Sequence, residues 1–407
     1  MNNTKARRES LGALMANGEA CILFANQAQN LRKFSQDNNF LYFTGLNIPN
    51  AILLLIKNAD AMQEMLFIER GIPEREVWDG KKMTKEEAQE ISEIKRVLYL
   101  DEYDATLSMW CPLINKIHAN IGYVALDQPL NYALFRMEPL RVRFPQILFA
   151  DITPLITPLR KVKDAWEIEQ LQKAIDITGT GILDIIQQAR ASMYEYELEA
   201  MLFYRMQRSG AHHWGFAPII ASGINAATLH YGQNNCQIEE GQLVLMDVGA
   251  AYNNYSADIT RCFPISESFS ERQKQIYQLV LNAQKEIIEM IKPGVTLMDL
   301  QVKTRELLAE SALEIELIKD LDEITKYYMH GVSHFLGLDT HDLGGRNAVL
   351  EVGNVITVEP GIYIPEENLG VRIEDDVLVT EDGHYVLSHN IPKEISEIEE
   401  IRSKALS

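Results

Sequence analysis

Short apolar blocks alternate with polar ones through the first third of the chain. Apolar runs at Cys21 to Ala25, Phe40 to Phe43, Ala51 to Ile56, Met65 to Ile68, Val97 to Leu100 and Tyr123 to Leu126 are separated by helix-favouring stretches such as Lys85 to Lys95. That alternation predicts an α/β domain. Further along, Ile168, Leu171, Ile175, Thr178, Ile182 and Ile185 recur at helical spacing. Ile276, Leu279, Val280, Ala283, Ile287 and Ile291 do the same before a Pro293-Gly294 stop. Both patterns predict amphipathic helices lying on a sheet. The sheet itself is expected from Leu243 to Ala250, Tyr255 to Phe263, Val355 to Glu359 and Val371 to Val379. Between the two regions, Asp151 to Lys163 carries two prolines and a basic end. The prolines are expected to interrupt regular structure, so a domain boundary falls there, giving domains 1–157 and 158–407 and an α/β (α+β) class overall.

A length of 407 residues agrees with two domains, each able to bury its own core. A chain that is 46% hydrophobic and 24% charged is an ordinary folded protein, not a disordered one. Acidic residues outnumber basic ones by 58 to 38. A nucleic-acid partner is therefore not expected, because phosphate neutralisation needs clustered Lys and Arg. Ala51 to Ile56, the longest obvious aliphatic run, is too short to cross a bilayer, and no membrane partner is expected. Lys5, Arg7 and Arg8 are followed by Asn17, Gly18 and Glu19 rather than a secretory core. Cys21, Cys111, Cys236 and Cys262 form no Cys-x-x-Cys pair, so reduced thiols in a cytoplasmic protein are expected, not a zinc knuckle or a disulfide framework.

The chemistry concentrates in two hairpins. From Gln242 to Arg261 the sequence reads strand, turn, strand, and a turn centred between Tyr252 and Asn253 sets Asp247 opposite Asp258. Opposed side chains lie about 4.5–5.5 Å apart at Cβ, where like charges repel. Asp247 also interrupts the apolar run Leu243 to Val248, where an unpaired carboxylate is costly to bury. A bound dication resolves both problems; the plainer alternative is that one Asp faces solvent or pairs with Arg261. The second hairpin, with a polar turn from Pro365 to Gly370, sets Glu359 opposite Glu374 about a midpoint between Glu366 and Glu367. Two such hairpins predict a pseudo-symmetric sheet on which four carboxylates meet, needing more than one cation. An imidazole to complete the site is available among His330, His334 and His341. His330 and His334 have the spacing of the zinc-protease motif His-Glu-x-x-His, but Gly331 stands where the general-base Glu would be. Gly331 and Gly337 argue for a loop or short strand there, not a helix.

These residues closely resemble the aminopeptidase P and prolidase group of dinuclear metallopeptidases, relatives of methionine aminopeptidase with the pita-bread fold. The shared strings are Leu-His-Tyr at 229–231, Asp-Val-Gly at 247–249, Ser-Ala-Asp-Ile-Thr-Arg at 256–261, and the whole run from His330 to Asp342. Val-Glu-Pro-Gly-Ile-Tyr at 358–363 and Val-Arg-Ile-Glu-Asp at 371–375 complete the set. The likeness spans 160 to 395; a weaker one covers the N-terminal domain through the strings at 39–45 and 75–80.

The resemblance implies metal ligands at Asp247, Asp258, His334, Glu359 and Glu374, with Asp258 and Glu374 bridging two ions. Asp247 would bind one ion, and His334 with Glu359 the other. Manganese suits so oxygen-rich a set and is what similar enzymes use; cobalt, iron or zinc are alternatives. Two such ions, roughly 3.5–4 Å apart, would supply a bridging hydroxide and polarise the scissile carbonyl. Glu359 is expected to shuttle a proton to the departing proline nitrogen. His230 and His341 would donate to the substrate carbonyl and the tetrahedral intermediate, and His330 would position the proline. Arg372, on the same strand face as Glu374, would orient a ligand carboxylate with help from Tyr363; a plain ion pair and simple packing are the alternatives for these two.

The expected reaction is hydrolysis of the bond between an N-terminal residue and a following proline, on peptide substrates. A prolidase restricted to dipeptides is the runner-up, and a non-catalytic pita-bread binding module is a further reading. Trp78 is either a core residue or one lent to a neighbouring subunit's proline pocket, which would make the protein a homodimer or homotetramer. His118, His212, His213, His384 and His389 have no motif behind them.

Overall fold

Ile52–Asn58 is buried on both faces over its aliphatic part, and it pairs antiparallel with Glu19–Phe24 on one side and Ala61–Ile68 on the other. Parallel strands extend this sheet outward. Val97–Tyr99 joins Ala61–Ile68, while Lys116–Ala119 and then Leu148–Asp151 join Glu19–Phe24. This is the frame of the first of two units, Met1–Leu159 and Arg160–Ser407, in a computed structural model that describes residues 3–28, 33–59, 61–122, 131–211 and 213–407. The mixed α/β class and the two-part layout agree with the sequence pattern. Tyr123 to Leu126 and His212 lie outside the described residues.

Two local readings are corrected. Phe40 to Phe43 sits in the helix Asn38–Thr44 rather than in a strand. Asp37 accepts from the Phe40 amide at 2.8 Å and Gly45 closes the helix at φ 70°, so a cap at each end outweighs the apolar run. Asp151 to Lys163 is not irregular either, because Thr153–Lys161 is helical. Pro154 lies in the first turn, where its missing N–H would have no intrahelical partner. Pro158 stands inside the helix, and the Thr157 hydroxyl donates to the Thr153 carbonyl at 2.8 Å.

In the second unit the two predicted helices are present as Ala165–Gln188 and Glu271–Glu289, each opened by a capping box, Asp164 with Glu167 and Ser270 with Gln273. Leu243–Val248 lies between Ile219–Ser222 and Ile259–Pro264 in one antiparallel sheet, and Val355–Val358 pairs with Asp375–Thr380 in another.

The register of the first hairpin differs from the expectation. Thr260, not Asp258, faces Asp247. Asn253 and Asn254 take φ of 49° and 67°, the left-handed pair that a two-residue hairpin turn requires. The turn is thereby centred one residue later, and Asp258 moves two positions along the same face, diagonal to Asp247. The second hairpin keeps the expected register. Val358 pairs with Asp375 and Gly361 with Arg372, so Glu359 and Glu374 fall opposite each other in the gap between two ladders of one register.

The hairpins are stitched together at their centres. The Glu374 amide donates to the Thr260 carbonyl at 3.1 Å. Arg261, fully buried, donates to Asp375 Oδ1 at 2.6 Å and to the carbonyls of Thr260, Glu374, Ile391 and Pro392. Lys393 and Gln284 hold the other oxygen of Asp375. Arg261→Ala removes the cation and leaves Asp375 and four carbonyls short of donors. We expect it to destabilise the second unit by about 3–5 kcal/mol in urea unfolding; a loss below about 1 kcal/mol would show that Arg261 does not join the hairpins.

Candidate metal centre

Strand alternation decides what enters the centre. Asp258 and Thr260 share one face of their segment, while Arg261 points to the other, so the pairing of Asp247 or Asp258 with Arg261 does not occur. His334 lies in a loop, as its glycines indicated, and that loop is fixed by strand Val355–Val358. The Thr357 amide donates to the His334 carbonyl at 3.0 Å and the Glu359 amide to the Val332 carbonyl at 2.8 Å. Ligand atoms of Asp258, His334 and Glu374 lie within 4.8 Å of one another. His334 Nε2 is 3.3 Å from Asp258 Oδ2 and 3.6 Å from Glu359 Oε1. Its Nδ1 meets the Phe335 carbonyl at 3.0 Å. A carbonyl can only accept, so Nδ1 carries the proton and Nε2 faces the carboxylates.

Asp247 joins from the side. Arg372 Nη2 donates to its Oδ2 at 2.6 Å, and its Oδ1 is buried with no hydrogen-bond partner among the described residues. Arg372 also donates from Nη1 to the Tyr363 hydroxyl at 2.9 Å and from Nε to Thr260 Oγ1 at 3.2 Å, and Thr260 in turn donates to Glu374 Oε2 at 2.6 Å. Arg372 therefore orients one candidate ligand directly and another through Thr260. The sequence reading missed Thr260; its place two residues after Asp258 on the same face was the available signal. It also missed Asp376, whose Oδ2 accepts from the Asp258 amide at 3.1 Å.

His330 is the most constrained of the flanking imidazoles. Its Nδ1 donates to the Gly331 carbonyl at 2.7 Å, so its Nε2 accepts from the Tyr363 hydroxyl at 2.8 Å. Burial, then nearby Arg372, pushes His330 down to about 4, and it stays neutral. The His341 ring lies 4.2 Å from that of His334, and His341 is held below its ordinary value by burial and by His334 and His230. Of the histidines without a motif, His118 meets Glu19 within the first unit and His384 the Ile291 carbonyl within the second.

The electrostatics expose an imbalance. Burial first, then mutual repulsion, raises Asp258 and Glu374 well above the carboxylate range and takes Glu359 to about 7. Converging acids, an inward-facing imidazole nitrogen and an orphaned carboxylate oxygen are the donor set of a divalent cation, and the residues fit one. A mixed α/β frame carrying a buried, oxygen-rich centre of this kind defines a metal-dependent hydrolase.

The chain belongs to the group described as metallopeptidase family M24, whose model matches residues 169–381. The model of the aminopeptidase P N-terminal domain matches residues 4–116. The Xaa-Pro aminopeptidase of Haemophilus influenzae is 34% identical, over 97% of this chain and 96% of its own. That of Escherichia coli is 33% identical over the same shares. A solved chain from Bacillus anthracis superposes with a TM-score of 0.95 at 43% identity, covering 99% of this chain and 98% of its own. Aminopeptidase P of Escherichia coli with the inhibitor Pro-Leu gives 0.90 at 30% identity over the same shares.

The raised carboxylates make metal-free stability depend on pH. A glutamate in the unfolded chain titrates near about 4.3, whereas folded Glu359 holds its proton to about 7. The folded state thus binds more protons, and this contribution to stability is full at low pH and lost as pH rises through about 7. Cation binding offsets the loss. Chelation is expected to lower Tm more at about pH 8 than at about pH 5.5; equal shifts in scanning calorimetry would show that these acids do not share a cation.

Proposed function

We propose that the chain is a Xaa-Pro aminopeptidase, with Asp247, Asp258, His334, Glu359 and Glu374 holding two divalent ions in the domain spanning 158–407. The observation that carries this reading is the convergence of Asp258, His334 and Glu374 at one buried point. When bound, the ions lower the pKa of a water molecule and polarise the scissile carbonyl. Glu359 would take a proton from that water and deliver it to the proline nitrogen, which leaves only when protonated. His230 and His341 donate to the carbonyl oxygen as it gains charge. His330, neutral and locked by Tyr363, offers a ring face against which the proline is positioned. Arg372 and Tyr363 hold this arrangement in register.

Manganese is the proposed ion, because four carboxylates and one imidazole favour a hard cation over one that seeks thiolates. Trp78 is 86% exposed beside Val77 at 89%, which removes the core reading and supports a homodimer or homotetramer in which a neighbouring subunit covers it. The substrates are peptides with proline second. Among the described residues no helix is long and apolar enough to cross a membrane. Three of the free cysteines are buried, and a cytoplasmic location accords with their reduced state.

Asp258→Ala and Glu374→Ala are expected to abolish both turnover and metal retention, and Arg372→Ala to lower kcat more than it raises KM. Elemental analysis beside cleavage assays of Xaa-Pro and Xaa-Pro-Xaa peptides, before and after chelation, tests the reading. Hydrolysis of the tripeptide supports it, cleavage of the dipeptide alone would make the protein a prolidase, and full activity without bound ions would refute it.

A further inference from the structure

Outside the metal centre, one carboxylate gathers five donors. Glu195 Oε1 accepts from the Ser222 amide at 2.8 Å, the Ser222 hydroxyl at 2.7 Å and Asn225 Nδ2 at 3.0 Å. Its Oε2 accepts from the Tyr231 hydroxyl at 2.8 Å and the Cys236 amide at 3.0 Å. The residue is fully buried at the start of helix Glu195–Arg208, and its own amide donates to the Cys236 carbonyl at 3.0 Å. Among the described residues no lysine or arginine pairs with it. Burying a carboxylate with neutral partners is expensive unless all its lone pairs are used, and here the partners come from both ends of one segment, 222–236.

That segment carries His230. The imidazole is exposed, and among the described residues its ring makes no hydrogen bond. Nothing on the ring itself therefore fixes where it points. Position must come from the backbone, and the backbone is held by the next residue, Tyr231, and by Cys236, both on Glu195. His230 nonetheless lies close enough to His330 and His341 to disfavour protonation of either.

We propose that Glu195 is a positioning residue for the peptidase reaction: by clamping Ser222, Asn225, Tyr231 and the Cys236 amide, it sets the His230 imidazole at the substrate carbonyl. The proposal rests on the reading of His230 as a donor to substrate. Tyr231→Phe removes one clamp bond while keeping the ring, and Glu195→Gln replaces an acceptor oxygen with a donor that opposes the donors around it.

The test is a double-mutant cycle on the metal-loaded full chain, using Tyr231→Phe, Glu195→Gln and His230→Ala, with kcat, KM, bound metal and Tm measured for each. Tyr231→Phe is expected to lower kcat about ten- to hundredfold with little change in KM or bound metal, the loss that a small displacement of a reacting group produces. In the His230→Ala background the same change is expected to lower kcat by less than about twofold. A merely structural bond would lower kcat by the same factor in both backgrounds, and that result would overturn the proposal. So would folded Tyr231→Phe and Glu195→Gln proteins with unchanged kcat. An unaltered kcat in His230→Ala alone would instead remove the underlying reading of His230, a failure distinguishable from that of the clamp. Should Glu195→Gln not fold, the Tyr231→Phe arm decides.

Discussion

Mutual repulsion among buried carboxylates is the constraint on which the second unit is organised. Asp258 and Glu374 are almost wholly buried and Glu359 partly so, and each costs more to ionise than it would in water. A chain with no further purpose for these positions would fill them with apolar side chains, since well-packed hydrophobic residues in place of buried charges are often neutral or stabilising. These carboxylates stand where the strands break, and a divalent cation among them would balance the charge that burial makes costly. The three consecutive acids at 374–376 show how finely environment, not residue type, sets the outcome. Glu374 turns to the metal centre and is raised; Asp375 turns the opposite way, where Arg261 and Lys393 hold it below the usual range despite full burial. Asp376 returns to the first side, is raised by burial and by Asp258, and caps the Asp258 amide.

One hydrogen-bonded line joins the parts that must keep their spacing. It runs from Glu374 to Thr260, from Thr260 to Arg372, and from Arg372 both to Asp247 and to Tyr363, which holds His330. Arg372 is the only cation in that line and is buried, so solvent and salt screen its charge on the surrounding acids little. Lysine could not replace it, since three separate acceptors are met by a planar fork. The backbone bond from Glu374 to Thr260 fixes the distance between the hairpins at the point where this line begins.

Much of this was legible in the sequence, and for identifiable reasons. Acids that interrupt apolar strands are costly, and that cost marks Asp247 from the residue pattern alone, while Glu359 and Glu374 emerge as mirror positions about their turn. The second hairpin was readable because its turn is bracketed by Pro365 and Gly370. The first was misplaced by one residue because Tyr252 to Asn254 offers two possible turn centres, and only the left-handed geometry of both asparagines selects one. Parity survived the slip, since a two-residue displacement returns a side chain to the same face. Phe40 to Phe43 and Thr153–Lys161 were misjudged for one shared reason: caps and first-turn prolines act locally and outweigh apolar runs and proline counts. Glu195 left no trace, because its significance lies in five donors brought from residues far along the chain.

The imidazoles divide by whether the protein satisfies them. His334 and His330 each have Nδ1 spent on a backbone carbonyl, so their tautomers and ring planes are set in advance of substrate. The rings of His230 and His341 make no hydrogen bond among the described residues, and both are exposed. Burial first, and then the neighbouring His334 and His230, holds His341 below its ordinary value. A neutral ring keeps one N–H to donate without adding a cation that would compete with bound metal for the carboxylates. Groups completed by the chain therefore form the frame, and on the proposed reading the groups left incomplete are those that would meet an oxygen gaining negative charge.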